Sequence, residues 1–414
     1  MKSILLASAS IVAFAGAAQA EVIWAADAEF GYNEEVEGGF YFDGGLGVVA
    51  AAELDMGLEA GIALDVDLGF SENEDDGVFN SFGGSFSGIS VNASDFVVFV
   101  QTTDMDSAYA GGLYIGDTET ASQQIWNGTT NMETDGFLEV GDVDDGADDG
   151  DFVDGVLRGD LTFGSVDMSV SYFIADNGDV DTDDVDALEG LQVGARTVFG
   201  NFEVGAVYQE EVPGRIVNAV DSSPGDDGIV GTDDDIAEEP GTIDELFGVY
   251  AGTTVYGADL TVAYSENLTT EASSLGFEVG YAIGPVVATA FYSLEQGPDG
   301  DDDAVDDNYG VQMAYSNGPI SVLGYYHDGT DEEIGIEGSY TFDAITFYAG
   351  YIDNRDDIDD NYEAYAAMEY GLSDAATVFA AYGESGDGYT GANDEIGNAY
   401  EVNEGTTVGI SFTF

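Results

Sequence analysis

The feature that most constrains this chain is a two-residue alternation of side chains, repeated in segments of about ten residues. At its C-terminal end the apolar positions are Val408, Ile410, Phe412 and Phe414, and Thr, Gly or Ser stands between them. A period of two is typical of a β-strand whose two faces meet different surroundings. After residue 20, no apolar run reaches the roughly 18 residues of a membrane-spanning helix. The sequence therefore predicts an all-β protein.

The alternating segments follow one another as hairpins. Gly200-Asn201 and Asn317-Gly318 each separate two such segments, and dipeptides of this kind form tight β-turns. Hairpins are predicted at about 40–70, 155–175, 190–211, 245–266, 274–295, 308–328, 333–353 and 361–384, with end strands at Glu21–Tyr32 and Gly405–Phe414. This gives about 18 strands, within a range of about 16 to 20, because the stretch 71–153 has room for another pair.

The connections alternate between short turns and long acidic loops, which are predicted at 176–189, 211–244, 297–307 and 387–404. Short turns at one end and long loops at the other are typical of an antiparallel up-and-down barrel that spans a membrane. One strand face carries small apolar residues with Tyr and Phe near the ends, and the other carries Gln, Glu, Asp, Ser, Thr and Arg. A closed protein core cannot hold so many charges. The second face is therefore expected to border water.

The composition excludes several classes of function. The chain has 84 Asp and Glu against five Lys and Arg, a formal net charge of −79, which argues against binding to nucleic acid. With 24 Tyr and 24 Phe it is too aromatic to be disordered. It has no Cys, a single His, His327, and no Lys after Lys2, which removes most of the familiar catalytic bases and nucleophile activators. We therefore do not expect an enzyme, although a hydrolase that uses two carboxylates is an alternative.

The N-terminus has the three parts of a secretory signal peptide. Lys2 is followed by an almost continuous apolar stretch from Ile4 to Phe14 and by the small-residue site Ala18-Gln19-Ala20. The prediction is a signal peptide at 1–20, cleaved before Glu21, and a single barrel domain at 21–414.

Strand parity assigns the side chains that face the water. In the segment 155–164 the apolar set is Leu157, Leu161 and Phe163, which leaves the alternate positions on the other face. An arginine on the lipid face would cost about 2–4 kcal/mol near the membrane midplane. The predicted pore-lining residues are Arg158, Asp160, Gln192, Arg196 and Glu203.

The stretch 102–154 lacks clean alternation and is expected to hold a functional loop that constricts the lumen. Its predicted acidic lining is Asp142, Asp144, Asp145, Asp148, Asp149 and Asp151. Trp126 either anchors this loop or lies at a membrane interface.

Several loops combine clustered carboxylates with Gly, a combination that suits Ca²⁺. The candidate metal ligands are Asp226, Asp227, Asp233, Asp299 and Asp301. None of these loops has the spacing of a helix-loop-helix calcium site. The alternatives are a solvated, salt-adapted loop surface and Ca²⁺ or Mg²⁺ that bridges loops to one another or to lipopolysaccharide. If these loops are only a solvated surface, the protein requires no cofactor.

The signal peptide, the short-strand hairpins, the lack of Cys and the terminal Phe414 together resemble the general porins of Gram-negative bacteria, particularly the Rhodobacter-type porins of α-proteobacteria. The resemblance covers essentially the whole mature chain. It implies a homotrimer in the outer membrane, a third loop folded into the lumen, and passive diffusion of ions and small hydrophilic solutes. It also implies that the last strand, through its apolar set ending in Phe414, is recognised by the barrel-assembly machinery.

The chain departs from this family in its charges, because members usually place several Arg and Lys opposite the acidic third loop. An almost purely acidic lumen predicts cation selectivity. A substrate-specific outer-membrane channel and an exported soluble Ca²⁺-dependent β-protein, such as an adhesin, are the alternatives.

Overall fold

The computed structural model describes residues 20–34, 39–54, 57–69, 90–104, 108–137, 155–174, 188–211, 244–298, 305–330, 332–355, 361–386 and 396–414. Of the predicted signal peptide only Ala20 belongs to this part, and the first strand begins there.

The described residues form twenty strands and one short helix. The first ten strands are β1 (Ala20–Asn33), β2 (Phe40–Leu54), β3 (Leu58–Gly69), β4 (Ser90–Thr102), β5 (Tyr109–Gly116), β6 (Gly155–Phe163), β7 (Val166–Ile174), β8 (Leu188–Phe199), β9 (Phe202–Gln209) and β10 (Leu246–Val255). The second ten are β11 (Ala258–Asn267), β12 (Ser273–Ile283), β13 (Val286–Gln296), β14 (Asn308–Asn317), β15 (Ile320–Asp328), β16 (Glu333–Phe342), β17 (Ile345–Asn354), β18 (Tyr362–Ser373), β19 (Ala376–Ser385) and β20 (Gly405–Thr413). The helix α1 (Ala121–Ile125) lies between β5 and β6.

Each strand pairs antiparallel with its neighbours in the chain, and β20 pairs with β1. The sheet is therefore a closed up-and-down barrel, as predicted. Its twenty strands lie at the upper end of the expected range, because β4 and β5 occupy the stretch in which one more pair was foreseen. β5 fills the first part of the stretch 102–154, so the loop predicted within this stretch follows Gly116. The inner positions of β5 are mostly Ala and Gly, so the alternation of polar and apolar side chains is weak in this strand.

At one end of the barrel the strands are joined by tight turns. Gly200, between β8 and β9, has φ +65, a conformation that costs glycine little and other residues more. The turn between β10 and β11 has two residues in this region, Tyr256 at φ +52 and Gly257 at φ +82. Two consecutive positive φ values define the hairpin turn that matches the strand twist.

The outer face is apolar. Ile336 is 60% exposed, Met313 56% and Val311 52%, values that a protein in water rarely shows over a continuous surface. Aromatic rings lie on this face towards both ends of the barrel. The pair Phe199 and Phe202 stacks at the turn end, with ring centroids 5.8 Å apart.

The buried apolar residues lie inside the barrel, where chain segments fold against the inner wall. One cluster contains Ile125, Phe137, Val207 and Leu246, and another contains Tyr365, Ile396 and Val402. The helix in the described part of the chain, α1, has five residues, and no membrane-spanning helix is found there.

Candidate functional site

The interior of the barrel is the candidate site. Twenty strands spaced about 4.8 Å apart and tilted by about 40° enclose a backbone diameter of about 40 Å. Two segments of the chain fold into this space. We call residues 117–137 the first insert and residues 396–404 the second insert.

Carboxylates occupy the inner wall around the barrel. The pairing register and the burial of neighbouring residues place them on the inward positions of the strands. They include Asp27, Glu29, Asp43 and Asp65 on β1–β3, Asp160, Asp167 and Glu203 on β6–β9, Asp259, Glu278 and Glu295 on β11–β13, and Glu333, Glu337, Glu363 and Glu369 on β16 and β18.

The first insert begins with the helix α1, which has its own capping signal. The Thr120 hydroxyl accepts a hydrogen bond from Gln123 N, and the Gln123 side chain accepts one from Thr120 N at 2.8 Å. Such a reciprocal pair satisfies two amides at the start of a helix. The amide of Ala121 donates to Ser171 Oγ at 2.9 Å. The helix is therefore fixed to the inner face of β7.

Trp126 is the centre of the contact between the first insert and the wall. Its ring lies 5.3 Å from that of Phe137 and 6.0 Å, edge to face, from that of Tyr250. Aromatic pairs in this geometry contribute about 0.5–1.5 kcal/mol beyond area burial. Trp126 thus anchors the loop from inside the barrel, and the alternative of a membrane-interface tryptophan is wrong.

The second half of the first insert is held by polar contacts to more distant strands. Glu278 accepts hydrogen bonds from the amide of Thr130 at 3.2 Å and from its hydroxyl at 2.8 Å. Asn308 Nδ2 donates to Glu133 Oε1 at 2.7 Å. Contacts of the first insert therefore extend along the wall from β6 to β14.

Arg158, one of the predicted pore-lining residues, lies on the inner face of β6 and is only 6% exposed. Its Nε donates to Asp160 Oδ2 at 3.1 Å, its Nη1 donates to the carbonyl of Glu119, and its guanidinium stands 4.8 Å from the centre of the Tyr114 ring. The charge is thus compensated by a neighbour and covered by the first insert.

Arg196 is held in a similar way on β8. Its Nε donates to Asp167 Oδ2 at 3.2 Å and its Nη1 donates to the carbonyl of Gln124 at 3.3 Å. Both inward arginines therefore connect a wall carboxylate to a backbone carbonyl of the first insert. These hydrogen bonds hold the first insert against the wall, and each arginine also forms an ion pair with a carboxylate of the wall.

The remaining two predicted pore-lining residues also lie on the inner face. Gln192 is fully buried and donates to Gln209 Oε1 at 3.0 Å while it accepts from the amide of Ser122. Glu203 accepts a hydrogen bond from the Tyr250 hydroxyl at 3.0 Å.

The contact between Glu203 and Tyr250 belongs to a recurring arrangement that the sequence analysis missed. Beside each Glu-x-Gly segment, a Tyr of a neighbouring strand lies over the Gly and points its hydroxyl at the Glu. Its signal in the sequence is a Glu-x-Gly on an inward face with a tyrosine at the paired position of the neighbouring strand. It occurs at Glu203, Gly205 and Tyr250, at Glu29, Gly31 and Tyr41, and at Glu333, Gly335 and Tyr325.

The predicted assembly signal lies on β20, whose pairing with β1 closes the barrel. Val408 pairs with Tyr32 and Ile410 with Phe30. Phe412 and Phe414 stack at 6.2 Å. The terminal aromatic therefore continues the outer face of the last strand.

The other predicted sites fall outside the described residues. The six constriction aspartates belong to 138–154, and the five candidate metal ligands belong to 212–243 and 299–304. Within the described part of the chain, no three Asp, Glu or His side chains come together as a metal site would require.

The chain was compared with known proteins. No family model matches it, and no curated protein matches its sequence. Among solved structures it is similar to a triple mutant of the Rhodopseudomonas blastica porin, at 13% identity and a TM-score of 0.36. A double-alanine variant and a quadruple-alanine variant of the Rh. blastica porin give 12% and 14% identity with TM-scores of 0.37 and 0.38. Each comparison covers 95% of this chain and 100% of the other.

Proposed function

We propose that this chain is an outer-membrane porin, a water-filled channel for passive diffusion of ions and small hydrophilic solutes, with a preference for cations. The proposal rests on one observation: the barrel has an apolar outer face and a wide inner face that is rich in carboxylates. A barrel of this size leaves an aqueous channel unless side chains or inserts fill it.

Cation preference follows from the balance of fixed charge inside the barrel. The inward arginines Arg158 and Arg196 are each paired with a carboxylate. The acidic side chains of β1–β3, including Glu29, Asp43 and Asp65, add negative charge on another side of the lumen. At 0.1 M salt the Debye length is about 10 Å, so these charges act over much of the open cross-section and concentrate cations there.

The outer surface supports membrane insertion over the soluble adhesin alternative. Exposed Val, Ile, Leu and Met side chains cover the middle of the outer face, and a contiguous apolar surface of this extent calls for lipid or a partner. Export through a cleaved signal peptide, recognition by the barrel-assembly machinery, contact with lipopolysaccharide and assembly as a homotrimer belong to the same proposal.

Single-channel recording in planar bilayers tests the function. The purified full chain should form open channels whose reversal potential across a KCl gradient shows cation selectivity. The selectivity should weaken as salt rises, because screening shortens the reach of the fixed charges. A protein that fails to conduct, or that selects anions, would overturn the proposal, and saturable block by one solute would indicate a substrate-specific channel.

A further inference from the structure

We propose that the second insert is a second constriction element of the pore and that Glu337 is the positioning residue that holds it there. This inference rests on the proposed channel function. Residues 396–404 belong to the loop between β19 and β20, which the sequence predicts as an acidic surface loop. The structure instead folds them against the inner wall.

The insert closes on itself before it meets the wall. The backbones of Ile396 and Val402 exchange two hydrogen bonds, of 3.2 and 3.0 Å, and both side chains are buried. They pack with Tyr365, Ala367 and Ala381 of β18 and β19. Two apolar residues six apart in the insert therefore attach it to the inner wall through a small apolar cluster.

The side chain of Glu337, on β16, binds backbone amides of the second insert. One oxygen, Oε2, accepts hydrogen bonds from the amides of Asn398 at 3.1 Å and Ala399 at 2.9 Å, and from the Tyr365 hydroxyl at 2.7 Å. Glu337 is 1% exposed. Hydrogen bonds to a buried carboxylate are among the strong ones, and a backbone amide left without an acceptor is costly.

Neighbouring contacts fix the same segment from two sides. The amide of Gly397 donates to Glu363 Oε2 at 2.8 Å. On the other side, Asn398 Nδ2 donates to the Tyr325 hydroxyl at 2.7 Å. Consecutive amides of the insert are thus shared between carboxylates of β16 and β18.

Tyr400 carries the second insert deep into the barrel. Its ring stacks on that of Tyr348 at 3.9 Å, and its hydroxyl donates to Glu369 Oε1 at 3.0 Å. Glu369 lies seven residues along β18 from Tyr362, the loop-side start of that strand. Seven residues of a strand span about 23 Å, which for a tilt of about 40° places Glu369, the residue that the Tyr400 hydroxyl reaches, about 18 Å below the rim.

The two inserts take different sides of the lumen. Contacts of the first insert lie on β6 to β14, and those of the second lie on β15 to β19, except that the carbonyl of its last residue, Glu404, accepts a hydrogen bond from Asn33 Nδ2 of β1 at 2.8 Å. The strands β1–β3 carry Glu29, Asp43 and Asp65 inward. The open path is therefore bordered by the first insert, the second insert and this acidic wall, and the second insert helps to set its width.

The chain has no cysteine, so a single thiol can be placed on the second insert without background. Ala399 is exposed although its amide is held by Glu337. In planar bilayers, modification of Ala399→Cys by a trimethylammonium thiol reagent should lower the open-channel current. Asp374→Cys, on a turn at the opposite end of the barrel, should react without changing the current.

Substitution of Glu337 tests the positioning role. Glu337→Ala should raise single-channel conductance by roughly 1.5-fold or more, because the current grows with the open cross-section. In this background the effect of reagent on Ala399→Cys should decrease. Glu337→Gln keeps an acceptor oxygen for the two amides and should conduct like the parent protein.

A parent protein that does not conduct at all would overturn the porin function itself. If the parent conducts but Ala399→Cys leaves the current unchanged on modification, the second insert is not part of the constriction. Equal conductance of the Ala and Gln variants would show that Glu337 does not position it. The thiol experiment on the parent background decides the question even where Glu337→Ala fails to fold.

Discussion

Gly205 offers a sharp test of how the first insert is held in the lumen. It lies on the inner face of β9 opposite Tyr250, and a methyl group added there would stand 2.3 Å from Tyr250 Cε1. Real Cβ atoms do not approach so closely, so the ring must move. Gly205→Ala should therefore displace Tyr250 from its contacts with Glu203 and Trp126.

The size of the effect follows from those two contacts. A hydrogen bond to a carboxylate contributes about 1.5–3 kcal/mol, and the edge-to-face pair of Tyr250 and Trp126 contributes about 0.5–1.5 kcal/mol. Replacing Gly by Ala also lowers the conformational entropy of the unfolded chain, which raises the free energy of unfolding by about 0.4–1 kcal/mol. The folded barrel should therefore lose about 1–4 kcal/mol of its free energy of unfolding.

The matched control is Gly252→Ala on the adjacent strand, at the position paired with Glu203. A methyl group there has its nearest neighbour, the carbonyl of Leu260, at 3.8 Å. Urea unfolding in detergent and heat-modifiable migration on gels should separate the two variants. Single-channel traces of Gly205→Ala should also be noisier, because its first insert is less firmly anchored. Equal stability and equal noise in both variants would refute the account of Tyr250 as an anchor.

Three further predictions concern charge and assembly. Arg196→Gln should increase cation selectivity in reversal-potential measurements, because Asp167 loses its compensating charge; an unchanged reversal potential would mean that this pair lies away from the ion path. Burial raises the pKa of Asp135 in the first insert from 3.8 to about 6, with the negative charges of Glu295 and Glu133 adding to the shift and the nearby indole N–H of Trp126 opposing it. This carboxyl is therefore ionised above about pH 6 and protonated below. Its contribution to the stability of the fold is present at pH below 3.8 and is lost as the pH rises through about 6. Cation selectivity should step down as pH falls through about 6, and Asp135→Asn should remove that step; a step that persists in the variant would assign it to another group. Deletion of Phe414 should leave export intact but lower the yield of heat-modifiable barrel, since the last strand loses the aromatic that stacks on Phe412; assembly at the normal yield would contradict the role of this terminus.

The architecture can be predicted from the sequence, because the alternation of side chains along a strand is a local property. Period-two patterns and turn dipeptides such as Gly200-Asn201 depend only on neighbouring residues. They predicted the closed barrel, most of its hairpins and the inward face of residues such as Arg158 and Glu203. The pattern is weakest at β5, whose inner face is mostly Ala and Gly, so the alternation alone does not separate this strand from the loop that follows it.

Which loops turn inward, and what holds them there, depends on contacts between residues that are far apart in the sequence. Thr130 meets Glu278 across 148 residues of sequence, and the amide of Ala399 meets Glu337 across 62. No local pattern encodes such contacts, because they form only once the register of the whole barrel has placed the wall carboxylates. The ion pair of Arg196 with Asp167 cannot be predicted from local patterns for the same reason. Strand parity gives the face of a side chain, whereas its partner depends on the neighbouring strands and on the loop that folds over them.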